Sequence, residues 1–246
     1  MLPRFYVPRL DVSVRELAMP ADEASHLTRV MRLGVGDEIA VFDGRGHEFR
    51  ASVMTAARGK VRIKLVEPIQ AAPEARVPMT LVQAVLKGDK MDDVVRDAVM
   101  LGVAAVQPLV TSRAETTVAA LSQGTRLDRW RRVALASVKQ SRRAVLPDIR
   151  RPLTLESFLQ DPQPALTLML VEPGAGEAQP LSTLQGQPVP PDATIFVGPE
   201  GGWAQAELAA ARSHNVRLVT MGHRTLRADA TPVAALSVLQ FLFGDL

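Results

Sequence analysis

Hydrophobic and polar positions along the chain fall into two regimes. Up to about residue 72, short apolar runs alternate with turn residues, as at Phe5-Tyr6-Val7, Glu38–Phe42, Glu48–Val53 and Lys60–Val66. In Lys60-Val-Arg-Ile-Lys-Leu-Val66 charged and apolar residues alternate with period two, the mark of a strand with one buried and one solvated face. Asp43-Gly44-Arg45-Gly46 reads as a turn between two such strands. Several short strands at this spacing indicate a small β-barrel or sandwich. One helix interrupts them, from residue 21 or 22 to Gly34. Its buried face is predicted to carry Leu27, Val30 and Met31, with His26, Arg29 and Arg32 outside.

The proline-bearing connector Gln70–Pro78 separates the regimes, giving expected domains of 1–72 and 73–246. Met79–Leu86 is read as one apolar run, interrupted only by Thr80 and Gln83, as a strand buried on both faces of a parallel sheet is. Lys87-Gly88-Asp89-Lys90 turns into a helix over Met91–Leu101, with Asp89 as N-cap and Asp92 and Asp93 complementing the helix dipole. Val103–Val110 is the next strand, and a basic helix follows from about Thr125 to Arg142. Its core-facing positions are Leu127, Trp130, Ala134, Leu135 and Val138. Leu166–Val171, Thr194–Val197 and Val216–Met221 read as further strands, with a helix over Ala204–Ser213 and a linker over 177–192. The last helix starts near Pro232 and is apolar nearly all round, so it must bury its surface against the sheet or another subunit.

Three of these strands run into glycine-bearing turns: Glu172-Pro173-Gly174-Ala-Gly176, Gly198-Pro199-Glu200-Gly201-Gly202, and Gly222-His223-Arg224-Thr225-Leu226-Arg227. Successive parallel strands release their loops at one sheet edge, where ligands bind in open α/β folds. The known nucleotide loops do not fit. No Gly-Lys-Ser/Thr follows Gly202, and Gly198–Gly202 does not match G-x-G-x-x-G. The loops are therefore expected to cradle something other than a polyphosphate.

Composition narrows the classes. The 246 residues are 47% apolar, without an uninterrupted apolar stretch of about 18 residues that spans a bilayer. The start of the chain lacks a signal-peptide layout. Cysteine is absent, consistent with a reducing cytoplasm, and four scattered histidines offer no metal pair, so neither membrane nor metal is expected. The net charge of +3 is unevenly spread. Nine Arg/Lys against two Asp in Arg126–Arg151 give +7, leaving −4 elsewhere. Arg129, Arg132, Lys139 and Arg143 fall at helical spacing with almost no acids at i±4 to pair them (Asp128, before Arg132, is the exception), which points to a polyanion such as RNA. His26, Arg29, Arg32, Lys87 and Lys90 are further candidates, although a solvated basic face explains the first three equally well.

With these residues in view, the chain resembles the bacterial methyltransferases of the RsmE type in the SPOUT superfamily. The motifs are Arg4-Phe5-Tyr6-Val7, His26-Leu27-x-Arg29-Val30-x-Arg32, Lys87-Gly88-Asp89-Lys90-Met91-Asp92, Gln140-Ser141-x-Arg143 with Pro147, Gly198–Gly202, and Gly222-x-Arg224-x-Leu226-Arg227. The resemblance covers nearly the whole chain and implies an N-terminal PUA-like β-barrel followed by an α/β domain with a parallel sheet and a trefoil knot. It also implies a cytoplasmic homodimer that uses S-adenosylmethionine to methylate N3 of a uridine in 16S rRNA of the small ribosomal subunit. The cofactor is then expected at Leu170, Gly198, Pro199, Glu200, Gly201, Gly202, Met221, Gly222 and Leu226. RNA is expected at the basic residues above together with Arg4. The chain departs from the family pattern at Lys139, where Glu is usual, and at Ala228-Asp229-Ala230-Thr231, where Thr-Glu-Thr-Ala is common.

Methyl transfer to a uracil N3 requires loss of its weakly acidic proton. Arg227 is the candidate for stabilising the uracil anion, and Glu200 or Asp229 is the candidate base or the group that orients Arg227. Two alternatives stay open at this point: a non-catalytic RNA-binding or ribosome-assembly factor, and a methyltransferase for another RNA position.

Overall fold

The computed structural model describes residues 2–57, 59–175 and 177–246. Gly176, the last residue of the first predicted glycine turn, lies outside the described residues. The chain forms two compact units, Met1–Glu74 with Val138–Leu146, and Ala75–Ser137 with Pro147–Leu246.

The first unit contains strands β1 (Arg4–Tyr6) and β2 (Glu16–Ala18), helix α1 (Ala21–Ser25) and strands β3 (Glu38–Phe42), β4 (Glu48–Ala57) and β5 (Lys60–Pro68). They form one mixed sheet in the order β1-β3-β4-β5-β2, with β1 parallel to β3 and the other pairs antiparallel. The period-two reading of β5 is met: Val61 and Ile63 are buried, and Arg62 and Lys64 face solvent. Phe5, Leu27, Ile39, Val41 and Val53 fill the core beside them.

The helix predicted to reach Gly34 instead changes pitch. After α1 the residues His26–Val30 form a π-helical turn, with the Met31 amide donating to the His26 carbonyl at 3.0 Å. The wider turn breaks the 100° register that placed Val30 and Met31 inside. Only Leu27 stays buried; Val30 is 65% exposed and Met31 is exposed as well.

The second unit starts with β6 (Met79–Ala84), α2 (Lys90–Met100), β7 (Ala105–Val110), α3 (Val118–Gln123) and α4 (Arg126–Ser141). It continues with β8 (Asp148–Ile149), β9 (Leu153–Thr154), α5 (Leu155–Leu159), β10 (Leu166–Leu170) and β11 (Gln179–Pro180). It ends with β12 (Ala193–Val197), α6 (Gln205–Ser213), β13 (Arg217–Thr220) and α7 (Thr231–Phe243). The last residues of α4, from Val138, belong to the first unit. The segment predicted as a linker carries β11 and a 3₁₀ turn at Leu181–Leu184.

All pairings in this sheet are parallel, in the order β11-β13-β10-β12-β6-β7-β8, with β9 also on β7. Every residue of β10 and β12 is buried, Thr167 and Thr194 included, as expected of mostly apolar strands in the middle of a parallel sheet. On one side Phe158, Trp203 and Leu208 pack with Phe196 and Met169; the Phe158 and Phe196 rings meet edge to face at 5.4 Å. Because β12 lies between β10 and β6, the loops that leave these three strands emerge side by side.

Helix α7 buries Pro232, Ala235, Leu236, Leu239 and Phe243, and Gln240 Nε2 donates to the Leu101 carbonyl at 2.7 Å. Its opposite face is not sealed. Phe241 is 74% exposed, and Val233, Ala234, Val238 and Leu242 are half-buried.

Candidate active site

Within the second unit, a cavity of about 590 Å³ opens at the carboxyl ends of the parallel strands. Five loops reach it. They bring Lys90 after β6, Arg113 after β7, Leu170–Pro173 and Ala175 after β10, Val197–Trp203 after β12, and Met221 with Arg224–Asp229 after β13. The three turns singled out in the sequence thus meet in one place. Of the residues expected around a cofactor, Leu170, Gly198, Pro199, Glu200, Gly201, Gly202, Met221 and Leu226 line the cavity. Gly222, at φ +76°, turns the β13 loop without lining it.

The glycines act differently. Gly202 sits at φ +68°, where a side chain is strained, whereas a Cβ on Gly198 would lie 3.1 Å from the Trp203 indole nitrogen. Gly198 therefore makes room for Trp203. The buried indole N–H donates to the Leu170 carbonyl at 2.8 Å, tying the glycine loop to the end of β10. Two further ties come from β7. The Ser112 amide donates to Glu207 Oε1 at 2.8 Å while Glu207 Oε2 accepts from the Ala204 amide at the start of α6. Arg113 Nη1 donates to the Gly201 carbonyl at 2.5 Å. Trp203, Glu207 and Arg113 were not singled out in the sequence, because their partners lie 33 to 95 residues away. The only local signal was the spacing of Glu207 three residues after Ala204, that of a helix cap.

Two ion pairs flank the cavity. Glu200 Oε1 accepts from Lys90 Nζ at 2.8 Å and from the Lys87 amide at 3.3 Å. Partial burial opposes ionisation of Glu200, but the hydrogen bonds from Lys90 and from the backbone outweigh it and hold the carboxyl below its ordinary range. Asp229 grips Arg227 by two parallel bonds, Nε to Oδ1 at 3.0 Å and Nη2 to Oδ2 at 2.9 Å. The Arg227 hydrogen bond lowers the Asp229 pKa as well. Both carboxylates are thereby poor proton acceptors and good anchors. The Arg227 carbonyl accepts from the Ala230 and Thr231 amides and from the Thr231 hydroxyl, so the start of α7 holds Arg227 in place. Its side chain is 76% exposed at the cavity edge.

The expected RNA contacts divide. Arg4 is not presented to solvent: it pairs with buried Glu48 at 2.8 Å and donates to the carbonyls of Val138, Lys139 and Arg143. Lys139 pairs with buried Glu23, and Arg143, itself buried, with Glu74. Arg129 bridges Asp89 and Asp92 at 2.9 and 2.5 Å. Asp89 occupies the N-cap position of α2 without a side-chain cap bond, because its carboxylate goes to Arg129. The helix does carry one acid at i±4 spacing, Asp128 four residues before Arg132, but its carboxylate goes to Arg131 at 3.4 Å, and the partners of Arg129, Lys139 and Arg143 come from distant segments. Lys87 pairs with Glu115 at 2.5 Å. His26, Arg29, Arg32 and Arg132 are exposed, and no acid pairs with them among the described residues; His26 meets the Phe5 ring edge to face at 6.0 Å.

The family profile described as an RNA methyltransferase domain matches residues 73–240, and one described as an RNA methyltransferase PUA domain matches 20–66. The chain belongs to this RNA methyltransferase family, in its RsmE-type, SPOUT branch. The Ribosomal RNA small subunit methyltransferase E of Synechocystis is 34% identical over 88% of this chain and 70% of its own. That of Mycobacterium tuberculosis is 29% identical over 97% and 91%. Among solved family structures, a Legionella pneumophila protein in complex with the bound cofactor SAM superposes with a TM-score of 0.91 at 27% identity, over the whole of both chains. The Ribosomal RNA small subunit methyltransferase E of Neisseria gonorrhoeae, bound to S-adenosyl methionine, gives 0.88 at 29% over the whole of both. The family's PUA domain falls on the mixed sheet and its methyltransferase domain on the parallel one. Among the described residues no helix is long and apolar enough to cross a membrane, and no cluster of His, Asp and Glu has the makings of a metal site.

Proposed function

We propose that this chain is an S-adenosylmethionine-dependent methyltransferase that modifies N3 of a uridine in 16S rRNA of the small ribosomal subunit, in the cytoplasm. The observation that carries the reading is the five-loop cavity, in a chain whose relatives are named small-subunit ribosomal RNA methyltransferases and, in two solved cases, hold that cofactor. The residues fit such a ligand. The volume is within the roughly 300–1,000 Å³ of small-molecule sites, and apolar walls (Leu170, Val171, Val197, Leu226) accompany a few polar anchors. Leu170, Gly198–Gly202, Met221 and Leu226 would hold the cofactor through backbone groups and apolar contact.

When bound, S-adenosylmethionine supplies an electrophilic sulfonium methyl group. The protein must then hold a uracil whose N3 has lost its proton, and Arg227 is the group that steadies the resulting anion. Asp229 keeps the guanidinium planar face and angle fixed, so little ordering is left for the moment of reaction. Glu200 does the same for Lys90. The cations beside both carboxylates lower their affinity for a proton, which favours an orienting role over that of a base; proton loss from N3 to solvent is then eased by the nearby positive charge. Positioning contributes much of the remaining acceleration.

The reading also includes the trefoil knot and a homodimer. The unsealed face of α7, with Phe241, Val238 and Leu242, supports burial against a second copy. Exposed His26, Arg29, Arg32 and Arg132 are the favoured RNA contacts. Transfer of tritium from labelled cofactor to small ribosomal subunits tests the proposal. Incorporation is expected, and binding to the subunits without incorporation would favour a non-catalytic RNA-binding factor.

A further inference from the structure

Four cations line the cavity: Lys90 and Arg227 are neutralised by Glu200 and Asp229, whereas Arg224 and Arg113 have no carboxylate partner among the described residues, and of these two only Arg113 is held by a hydrogen bond to a neighbouring loop. Arg113 is anchored but not neutralised. One of its N–H groups goes to the Gly201 carbonyl, and no carboxylate pairs with it among the described residues. Across the same loop stands Glu172, also exposed and without an ion-pair partner among the described residues. Both charges border Gly202. A Cβ built there would lie 3.7 Å from Glu172 Oε1 and 3.8 Å from Arg113 Nη1, yet the two do not form an ion pair with each other. Gly202 thus keeps a small gap open between an uncompensated guanidinium and an uncompensated carboxylate.

A gap with one charge of each sign on its walls is complementary to a zwitterion. Resting on the cofactor reading above, we propose that Arg113 and Glu172 form a clamp for the amino-acid end of S-adenosylmethionine, Arg113 taking the α-carboxylate and Glu172 the α-ammonium. Arg113 is suited to this because its planar fork offers several parallel donors, of which the Gly201 carbonyl occupies one. The bond to Gly201 fixes the guanidinium before the ligand arrives, which lowers the cost of ordering it on binding. The clamp supplies selectivity for the intact amino-acid tail, whereas the apolar walls and backbone recognise the nucleoside.

The test is calorimetric binding of three ligands to the full chain and to the variants Arg113→Gln and Glu172→Gln. The ligands are S-adenosylhomocysteine, decarboxylated S-adenosylmethionine and 5′-methylthioadenosine, which lacks the amino-acid tail. Arg113→Gln is expected to weaken S-adenosylhomocysteine about tenfold or more, with decarboxylated S-adenosylmethionine and methylthioadenosine changed less than about threefold. Glu172→Gln is expected to weaken both tailed ligands bearing the ammonium and to spare methylthioadenosine. Equal losses for all three ligands would mean that Arg113 merely shapes the glycine loop, and would overturn the clamp, as would unchanged affinities. Failure of the wild-type chain to bind any of them would overturn the cofactor reading itself, a result distinct from tight wild-type binding with insensitive variants.

Discussion

The cations of the first unit and those of the cavity in the second unit serve opposite ends. In the first unit Arg4, Lys139 and Arg143 are consumed by folding: each meets a carboxylate that is itself buried or partly buried, and Arg4 also satisfies three backbone carbonyls. Around the cavity, Lys90 and Arg227 are held by carboxylates yet stay open to solvent, and Arg113 is held by a carbonyl alone. Arg4, Lys90, Arg143 and Arg227 look alike as sequence, each a basic residue in a recognisable motif. What separates them is whether the partner lies inside the fold, where a lone charge is costly, or at a surface where a ligand can share it.

The largest effect that follows is on stability. Arg4→Ala leaves Glu48 buried without its counter-ion and is expected to cost about 3–5 kcal/mol in urea unfolding. A cost under about 1 kcal/mol would put Arg4 with the exposed cations instead. Arg227→Ala is expected to do the reverse, lowering single-turnover methyl transfer about 10²–10³-fold while the urea midpoint hardly moves. An unchanged rate would remove Arg227 from the chemistry.

Smaller effects sharpen the division along α4. Arg132→Ala is expected to reduce the slope of log affinity for small-subunit RNA against log salt by about 1. Lys139→Ala, on the same helix, is expected to leave that slope alone and to lower stability, because its charge belongs to Glu23. A lowered slope for Lys139→Ala would reverse the assignment. The smallest effect concerns the turn before β4. Burial disfavours the Asp43 carboxylate, but the His47 ring and the Arg45 and His47 amides outweigh it and hold its pKa below the ordinary value. A depressed folded pKa gives stability that is present above the unfolded value, near 4, and lost as pH falls through the folded one. Asp43→Asn should therefore flatten the decline of stability with pH below about 4, measured by urea unfolding.

Much of the fold was legible from local pattern. Lys60–Leu65 alternates strictly, and Met79–Ala84, Leu166–Leu170 and Ala193–Val197 are mostly apolar, so their burial patterns follow largely from the local sequence pattern. The three glycine turns were visible because glycine and proline break such runs. The π-helical turn at His26–Val30 was not, since an α-helical period fits its sequence equally well and only the observed i→i+5 bond displaces Val30 and Met31. Nor was the binding of Arg4 to Glu48, 44 residues away, or of Arg113 to Gly201, 88 residues away. Charge partners chosen by tertiary structure leave no trace at i±4. Part of the cavity was therefore readable, its backbone loops, and part was not, the side chains that brace them.

The most direct measurement is nucleoside analysis by mass spectrometry of small-subunit rRNA exposed to the wild-type chain and isotopically labelled S-adenosylmethionine. The expected result is label in 3-methyluridine at a single position. Label in a different nucleoside, or none at all despite bound cofactor, would contradict it.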